Sequence, residues 1–503
     1  MSVRSFCLSA LLFGSLFVFV VPPFQVADEF NHFYRAWQVS DGIFVGVRTA
    51  DNRLGGDLPV AVAKITQPFR SLPFHFENQI KSNIIFYNLS VPLDEKNRQF
   101  VDFANTAIYA PTAYLPQAVA ISIGKFLKID PLSIFYFSRF LTLLFWLSMV
   151  YASLKTLPVY RNLFVGLALL PSSLFINASA SGDVVTNACS FLFIALCVKM
   201  MSEKKRSSKR ISFIDIALVF LTSLIMSFNK LAYFPLVLLF FLIKKEHVNG
   251  LKNKISLATA LIVANLTAII FWSKTIQPIY LKFEDYNPLF RVGQQLNEKV
   301  DPSLQMTFIL HNPLFFSKIA IFSLLKTLPH TLIHYVGKFG WEKNYLPIWL
   351  IALILLLLII QAVFPETSTT LKLGRLFNFK FLIFNSEDPL SIKAKFGLFG
   401  IGILTTYSFA AAMYGIWCPV GSDFIENLGG KYFIPIYPLF FLALPTFEMS
   451  EKIKTSAKSD TSPTLNASIL SILTFLTQPK VLFYTLQLSL IWSVIQVITR
   501  YYS

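Results

Sequence analysis

The residues with the greatest capacity for chemistry lie in one short segment near the N-terminus, PPFQVADEFNHFYRAWQ at positions 22–38. Two prolines end an apolar run, and the chain then enters a predicted helix at Asp28. Helical spacing places Asp28, His32 and Arg35 on one face, with Glu29 alongside. A carboxylate base, a titratable imidazole and a fixed cation would then converge where the chain leaves the apolar run.

The same residues also fit a purely structural interpretation. Acidic side chains at the start of a helix cap its free N–H groups and complement its dipole, which is an alternative role for Asp28 and Glu29. His32 and Arg35 could instead face lipid headgroups from one side of the helix. The spacing of these residues does not decide between the two interpretations.

Four residues farther along the chain are additional candidates for binding a charged ligand: Asp183, Lys230, Lys431 and Tyr432. Asp183, in the stretch NASASGD, either caps the next helix or contributes to substrate or metal binding. Lys230 and Lys431 either contact headgroups or hold an anionic group of a substrate. Ionisable residues beside apolar runs favour function, because their burial near a membrane is costly.

Composition places all these candidates in an integral membrane protein. Of 503 residues, 54% are hydrophobic and 14% are charged, a balance that excludes a soluble globular chain. Apolar runs of about 20 residues, each long enough to cross a bilayer core as a helix, recur along the chain. Continuous apolar runs such as 351–360 exclude the alternating pattern of a transmembrane barrel.

The formal charge of +17 does not indicate a nucleic-acid partner. Lysine and arginine are spread over short polar stretches between apolar runs, which is typical of membrane topology. The four cysteines lie in or beside apolar runs, without the spacing of a metal site or a disulfide framework: Cys7, Cys189, Cys197 and Cys418. We interpret them as small packing residues.

The distribution of basic residues predicts about 11 spans, within a range of roughly 10 to 13, and a cytoplasmic N-terminus. Arg4 precedes an apolar run without a cleavage site, which predicts an uncleaved first span. Basic clusters flank 211–243 on both sides, so we predict two short spans broken at Asn229-Lys230. The predicted spans are 6–21, 132–153, 159–176, 183–201, the pair within 211–243, 255–273, 346–363, 396–416, 431–447 and 481–499.

These spans predict an all-α fold with one membrane bundle at 1–447, a cytoplasmic linker at 448–480 and a last span within 481–503. Two outer segments, at 22–131 and 274–344, would cover one side of the bundle. In the first we predict helices lying along the membrane, including an interfacial helix at 114–127. Prolines interrupt the stretch 308–328, which is predicted to be interfacial or re-entrant, with two short spans as the alternative.

Motifs along most of the chain resemble those of a bacterial family of multi-pass membrane proteins of unknown function, which is grouped with the GT-C glycosyltransferases. The matching stretches are PPFQVADEFNHFYRAWQVSDG, YLPQAVAISIGKFL, FYFSRFLTLL, LPSSLFINASASGD, NKLAYFPLVL, GKFGWEKNYLP and GGKYFIPIYPL. They cover most of residues 22–445. The last stretch departs from a pattern usually written Gly-Arg-Tyr-Phe-x-Pro, because Lys431 replaces the arginine with a point cation.

The resemblance implies a glycosyltransferase that takes sugar from a polyprenyl-phosphate donor on the non-cytoplasmic face, for an acceptor such as a cell-surface glycan, lipid or protein. An acidic pair in the first outer loop is typical of GT-C enzymes, so Asp28 is the first candidate for the general base and Glu29 the second. Either could instead hold a divalent metal ion. His32, Arg35, Asp183, Lys230, Lys431 and Tyr432 are the candidates for binding substrate.

The sequence is also compatible with two other functions. A transporter or flippase of lipid-linked glycan would use the same cations to hold phosphate without bond chemistry. A polysaccharide polymerase or ligase would also have many spans and a long outer loop. The absence of an internal repeat argues against the first, and the acidic pair after the first span argues against the second.

Overall fold

The chain is predominantly helical in a computed structural model that describes residues 2–202, 211–341, 344–365, 388–447, 472 and 474–502. The helices are α1 (Val3–Val20), α2 (Glu29–Ser40), α3 (Val60–Lys64), α4 (Ser82–Leu89), α5 (Ala104–Ala107), α6 (Leu115–Phe126), α7 (Pro131–Thr156), α8 (Arg161–Ala168), α9 (Pro171–Asn177), α10 (Asp183–Met201), α11 (Phe213–Asn229), α12 (Leu251–Ile276), α13 (Pro302–His311), α14 (Pro313–Gly337), α15 (Ile348–Val363), α16 (Ile392–Trp417), α17 (Tyr437–Ala443) and α18 (Pro479–Tyr501). Single-turn or 3₁₀ segments are Gln67–Phe69, Pro111–Tyr114, Leu231–Leu242, Lys245–Val248 and Gly430–Phe433.

Seven of the described helices are long and apolar enough to cross a membrane: α1, α7, α10, α12, α14, α16 and α18. Three shorter apolar segments accompany them, namely α11, Leu231–Leu242 and α15. The fold is therefore that of an all-α, multi-pass membrane protein, as the composition predicts. Within the described residues, α10 lies at the centre of the bundle. It packs against α7 and α11, and 94% of its most apolar 18-residue stretch is buried.

The long apolar run 211–243 is broken at the predicted place. Helix α11 ends at Asn229, and Lys230 has an extended backbone with φ −146° and ψ 104°. The chain continues as the 3₁₀ segment Leu231–Leu242, which contains Pro235. Because proline removes one backbone donor and crowds the preceding turn, a regular α-helix is disfavoured there.

Two predicted spans are shorter and more broken than their apolar runs indicate. The run 159–176 forms α8 and α9, separated at Leu170, whose extended backbone precedes Pro171. The run 431–447 begins as the 3₁₀ turn Gly430–Phe433 and continues as the seven-residue α17. Hydrophobicity identifies such segments as buried, but their prolines prevent one continuous helix.

The stretch 308–328 is predicted to be broken at Pro313 and Pro329, and the structure confirms only the first break, since α13 ends at His311 and α14 begins at Pro313. Helix α14 runs unbroken for 25 residues, from Pro313 through Pro329 to Gly337. Pro313 occupies the first turn, where its missing N–H group is not required. Pro329 removes only one hydrogen bond, and the apolar packing of the helix outweighs that loss.

Segment 22–131, which is predicted to be the first outer segment, contains a small sheet that the sequence does not predict. Strands β1 (Val47–Arg48), β2 (Leu54–Pro59) and β3 (Arg98–Asp102) pair antiparallel in the order β1-β2-β3. The strand β2, LGGDLP, carries two glycines and a proline, so it lacks the alternating pattern of a half-buried strand. Gln38 of α2 binds the Gly55 carbonyl at 3.0 Å and thereby ties the sheet to this helix.

Helix α6 confirms the predicted helix at 114–127, and its 12 residues are too few to cross a bilayer. The end of α18 contacts this same outer segment, because Ile80 donates its N–H to the Tyr501 carbonyl at 2.7 Å. The ends of α1 and α18 therefore lie at one face of the bundle. Most of the predicted linker 448–480 and the basic residues at 204–210 and 372–380 lie outside the described residues.

Candidate functional site

Four charged side chains from distant parts of the sequence converge at the outer-segment end of the bundle. The Lys431 Nζ atom lies 3.3 Å from Asp28 Oδ2 and 3.9 Å from Asp183 Oδ2. Lys230 pairs with the other oxygen of the Asp183 carboxylate. The result is an alternating chain of two carboxylates and two ammonium groups, which we call the charged cluster.

Tyr432 covers the charged cluster on one side. Its ring centroid lies 4.8 Å from Lys230 Nζ and 5.0 Å from Lys431 Nζ, so both cations face its π system. The Tyr233 hydroxyl donates to the Tyr432 carbonyl at 2.9 Å and fixes this part of the backbone. The two lysines are thus held close together by an aromatic face and by acidic partners.

The Asp28 side chain does not cap the helix that follows it. Asp28 occupies the N-cap position of α2, but its side chain makes no capping hydrogen bond and contacts Lys431 instead. Its φ of 66° lies in the left-handed region, which costs an aspartate some energy. This conformation and the absence of a cap both favour the functional interpretation of Asp28.

Asp183 likewise serves the charged cluster more than its own helix. It is the first residue of α10, where a negative charge complements the dipole, but its carboxylate pairs with Lys230 and Lys431. Its carboxylate is 9% exposed, whereas Asp28 and Lys431 are 22% and 20% exposed. A ligand would therefore reach Asp28 and Lys431 first and find Asp183 behind them.

Lys431 is positioned by the close contact of Gly430 with α14. A Cβ atom on Gly430 would lie 2.4 Å from the Tyr335 nitrogen and 2.5 Å from the Thr331 oxygen, both backbone atoms. The Thr331 hydroxyl also donates to the Leu428 carbonyl at 2.9 Å. The backbone before Lys431 is therefore packed directly on the helix backbone, which only glycine permits.

We expect Gly430→Ala to destabilise the protein by about 1–3 kcal/mol and to displace Lys431, because the clash involves backbone that cannot rotate away. Gly429→Ala is the matched control, since its Cβ would meet only the Tyr432 ring at 3.9 Å. The measurement is thermal unfolding in detergent. Equal melting temperatures for the two variants would contradict the packing argument.

His32 lies beside the charged cluster as a buried, neutral group. Its Nδ1 atom is 2.8 Å from the Tyr114 hydroxyl and accepts from the Gly182 N–H at 3.4 Å. A backbone N–H can only donate, so Nδ1 is an acceptor and the ring proton resides on Nε2. Burial lowers the pKa of His32 to about 4, against the opposing effect of the nearby Asp183 and Asp28 carboxylates.

This depressed pKa predicts an acid-sensitive contribution of His32 to stability. Below its unfolded pKa of about 6.5, the unfolded chain binds a proton that the folded chain refuses, so stability is lost as the pH falls from about 6.5 toward 4. The full difference between the folded and unfolded pKa of His32 corresponds to about 3 kcal/mol of folding stability. His32→Asn keeps an acceptor near the Nδ1 position, and its melting temperature should decline less than that of the wild type between pH 6.5 and 4.5. Parallel declines would contradict this.

Comparison with protein-family models places the chain with a described family. The model for a predicted membrane protein family, DUF2142, matches residues 11–440. The chain belongs to the DUF2142 family. Comparisons with curated proteins and with solved structures give no match. The matched range contains every member of the charged cluster.

The second acidic residue of this DUF2142 protein, Glu29, points away from the charged cluster. Its carboxylate pairs with Arg139 of α7 through bonds of 2.5 and 2.8 Å, and both side chains are fully buried. The Ala180 N–H also donates to Glu29 at 2.9 Å. The sequence gives Glu29 a place beside Asp28, but the structure does not bring the two carboxylates together.

Arg35 is also separated from the charged cluster by its own partners. Its guanidinium donates to the carbonyls of Phe44 at 2.5 Å and Tyr109 at 3.1 Å, and it also binds Gln38. The ring of Tyr109 lies 5.8 Å from that of His32, and its pKa is raised by burial and by the Asp183 and Asp28 carboxylates. Arg35 therefore influences the site by holding Tyr109 in place.

Sequence reasoning misses Arg139, Tyr109 and Tyr114 as parts of this region. A signal for Arg139 exists, because an arginine within the apolar run FYFSRFLTLL requires a buried partner. No comparable signal marks the tyrosines, which are ordinary in a chain of this composition. Their role depends on which loops meet at the end of the bundle.

No three His, Cys, Asp or Glu side chains converge as a metal site in the described part of the chain. Asp28 and Asp183 are the carboxylates that share one cation, Lys431, and they are the pair that could hold a divalent ion. A separate open depression of about 600 Å³ lies at the far end of α2, lined by Asp41, Ile43, Asp57 and Arg98. Its lining contains none of the charged cluster, so we do not assign chemistry to it.

Proposed function

We propose that this DUF2142 protein is a membrane glycosyltransferase that moves a sugar from a polyprenyl-phosphate donor to an acceptor on the non-cytoplasmic face. One observation carries the proposal, namely the convergence of Asp28, Asp183, Lys230 and Lys431 at one end of the helices. Asp28 and Lys431 are 403 positions apart in sequence. A carboxylate beside two closely spaced cations is the set of groups that transfer from a phosphate donor requires.

In the proposed reaction, Asp28 is the general base. It accepts the proton of an acceptor hydroxyl while that oxygen forms a bond to the anomeric carbon of the sugar. The bond between the anomeric carbon and the phosphate oxygen breaks, and the phosphate leaves with the electron pair. Lys230 and Lys431 stabilise the charge that grows on the departing phosphate, and preorganised cations are worth most where water is partly excluded.

The position of the charged cluster suits a lipid-linked donor. Its members lie at the start of α2, at the start of α10, at the end of α11 and in the turn Gly430–Phe433. A carrier with its tail in the bilayer presents its phosphate at that level. The donor's lipid and the surrounding membrane lipids are therefore the expected partners, and Tyr432 offers a face for the sugar or the carrier.

We further propose a GT-C-like arrangement of 11 spans, with the N-terminus cytoplasmic and the charged cluster outside. The contact between Ile80 of the outer segment and Tyr501 of α18 supports an odd number of crossings, because it brings the C-terminal end to the face that α1 reaches first. The short and broken segments α8, α9 and Leu231–Leu242 would then count as incomplete or tilted crossings, and α14 would be the interfacial or re-entrant segment that does not cross.

A transporter or flippase of lipid-linked glycan is the second candidate, favoured by the broken helices beside the site. Discontinuous segments that end near a ligand are typical of transporters. Here the 3₁₀ segment Leu231–Leu242 begins directly at Lys230. The same lysines would hold the phosphate of the lipid while the sugar stays attached. A polymerase or ligase finds no specific support in the described residues.

The test is transfer of labelled sugar from a panel of polyprenyl-phosphate donors by the purified protein in lipid. Turnover with one donor, and its loss on removal of the Asp28 carboxylate, would support the transferase. Absence of turnover with every donor, together with translocation of a lipid-linked glycan across vesicles, would overturn the transferase in favour of transport.

A further inference from the structure

We infer that Glu29 and Arg139 form a positioning unit that sets Asp28 of the outer segment relative to Asp183 of α10. Neither residue touches the charged cluster, and both act through the backbone segments they hold. The consequence for catalysis rests on the proposed function, but the mechanical coupling of the two segments does not. The inference also gives the acidic pair Asp28-Glu29 two separate roles.

Arg139 anchors the end of the first span. Its Nη1 atom donates to the Val18 and Val21 carbonyls at 3.0 and 2.8 Å, and Nη2 donates to the Pro22 carbonyl at 3.1 Å. These are carbonyls at the end of α1, which the helix itself leaves without donors. The guanidinium thereby fixes the point at which the chain leaves the bundle, a few residues before Asp28.

Glu29 connects this anchor to the turn that precedes α10. One carboxylate receives two bonds from Arg139 and a third from the Ala180 N–H, three residues before Asp183. Glu29 is adjacent to Asp28 in the chain, so a shift of its side chain moves Asp28 directly. The end of α1, the start of α2 and the turn at 178–182 therefore meet at one ion pair.

The burial of this pair supports a role in geometry more than in stability. Both side chains are 0% exposed. Replacing a buried ion pair by apolar residues is often neutral or stabilising, because desolvation cancels much of the attraction. A fully hydrogen-bonded arginine and carboxylate nevertheless specify one arrangement of the segments they join, which an apolar pair of similar volume does not.

The first experiment measures hydrogen exchange in the purified, lipid-reconstituted protein. Glu29→Gln should accelerate exchange at 22–32 and 178–183 together, on the order of tenfold, with the rest of α10 unchanged. Asp215→Asn is the matched control, because it breaks the partly buried Lys199–Asp215 pair at the opposite end of α10. Acceleration in only one of the two segments, or uniformly along the chain, would overturn the inference.

The second experiment separates position from stability with the double variant Glu29→Gln/Arg139→Met, which leaves no orphan charge. We expect it to unfold near the wild-type temperature but to keep the faster exchange in both segments. In the transfer assay, its kcat should fall about 10²-fold while carrier-phosphate binding at Lys230 and Lys431 is retained, as a small displacement of the base predicts. Wild-type exchange and wild-type kcat in this stable double variant would show a merely structural pair and overturn the inference.

The transferase function and the positioning role of Glu29 and Arg139 can be contradicted independently of each other. If the wild-type protein transfers no sugar, the proposed function is wrong, and the exchange of 22–32 and 178–183 still decides whether Glu29 and Arg139 couple them. The wild type could transfer sugar while the Glu29 variants show wild-type hydrogen exchange and wild-type kcat. In that case the inferred positioning role of Glu29 and Arg139 is wrong, and the proposed transferase function is retained.

Discussion

Asp28→Asn is expected to lower the rate of sugar transfer by roughly 10²–10⁴-fold, since a general base contributes about that factor. The amide matches the carboxylate in size, but it cannot accept the acceptor's proton at neutral pH. Asparagine also tolerates the left-handed backbone that Asp28 adopts at φ 66°, so the fold should survive. The measurement is initial rate with labelled donor, beside the melting temperature of the same preparation.

The matched control for this variant is Asp57→Asn. Asp57 is an exposed carboxylate on β2 of the same outer segment and lies outside the charged cluster, so its loss should leave transfer unchanged. A variant Asp28→Asn that folds normally and transfers sugar at the wild-type rate would remove Asp28 as the base. Carrier binding should persist in Asp28→Asn, because both lysines remain.

The sequence predicts the members of the charged cluster better than it predicts their surroundings. Asp28, Asp183, Lys230 and Lys431 are recognisable because each is an ionisable residue placed at the edge of an apolar run. Burying an unpaired charge at the end of a membrane bundle is energetically unfavourable, so such residues are expected to pair with one another. Which of them pair with one another depends on helix packing, which the sequence does not display.

Glu29 faces a different partner from the one that its position in the sequence predicts. Its position beside Asp28 predicts a second acid at the same site, yet consecutive helical residues point about 100° apart. The side chain therefore turns into the bundle and meets Arg139, 110 positions later in the chain. Adjacency in sequence indicates the right neighbourhood but not the face that each carboxylate presents.

Proline and glycine explain the remaining differences between prediction and structure. Pro171 divides one apolar run into α8 and α9, while Pro329 is carried within α14. The difference depends on whether neighbouring helices compensate the lost hydrogen bond, which is a property of packing. The small sheet is equally hard to predict from the sequence, because Gly55 and Gly56 have low strand propensity. Gly55 makes room for the Val101 backbone, and Gly56 makes room for the Gln38 side chain.

Lys431→Met is expected to lower transfer by roughly 10²–10³-fold, the cost of removing one preorganised group that stabilises developing charge. Lys431 lies between both carboxylates and faces Tyr432, so its ammonium group is already in place before a donor phosphate arrives. The two neighbouring carboxylates, Asp28 and Asp183, favour the charged form of this lysine.

Lys431→Arg separates charge from shape in the same assay. The pattern Gly-Arg-Tyr-Phe-x-Pro, which this stretch resembles, has arginine at this position, and a guanidinium can bind phosphate through two parallel bonds. We therefore expect Lys431→Arg to retain transfer and carrier binding, whereas Lys431→Met lowers both. Lys81→Met, on the exposed start of α4, controls for the loss of a positive charge from the outer segment. Full transfer by Lys431→Met would show that Lys230 alone, or another group, receives the departing phosphate.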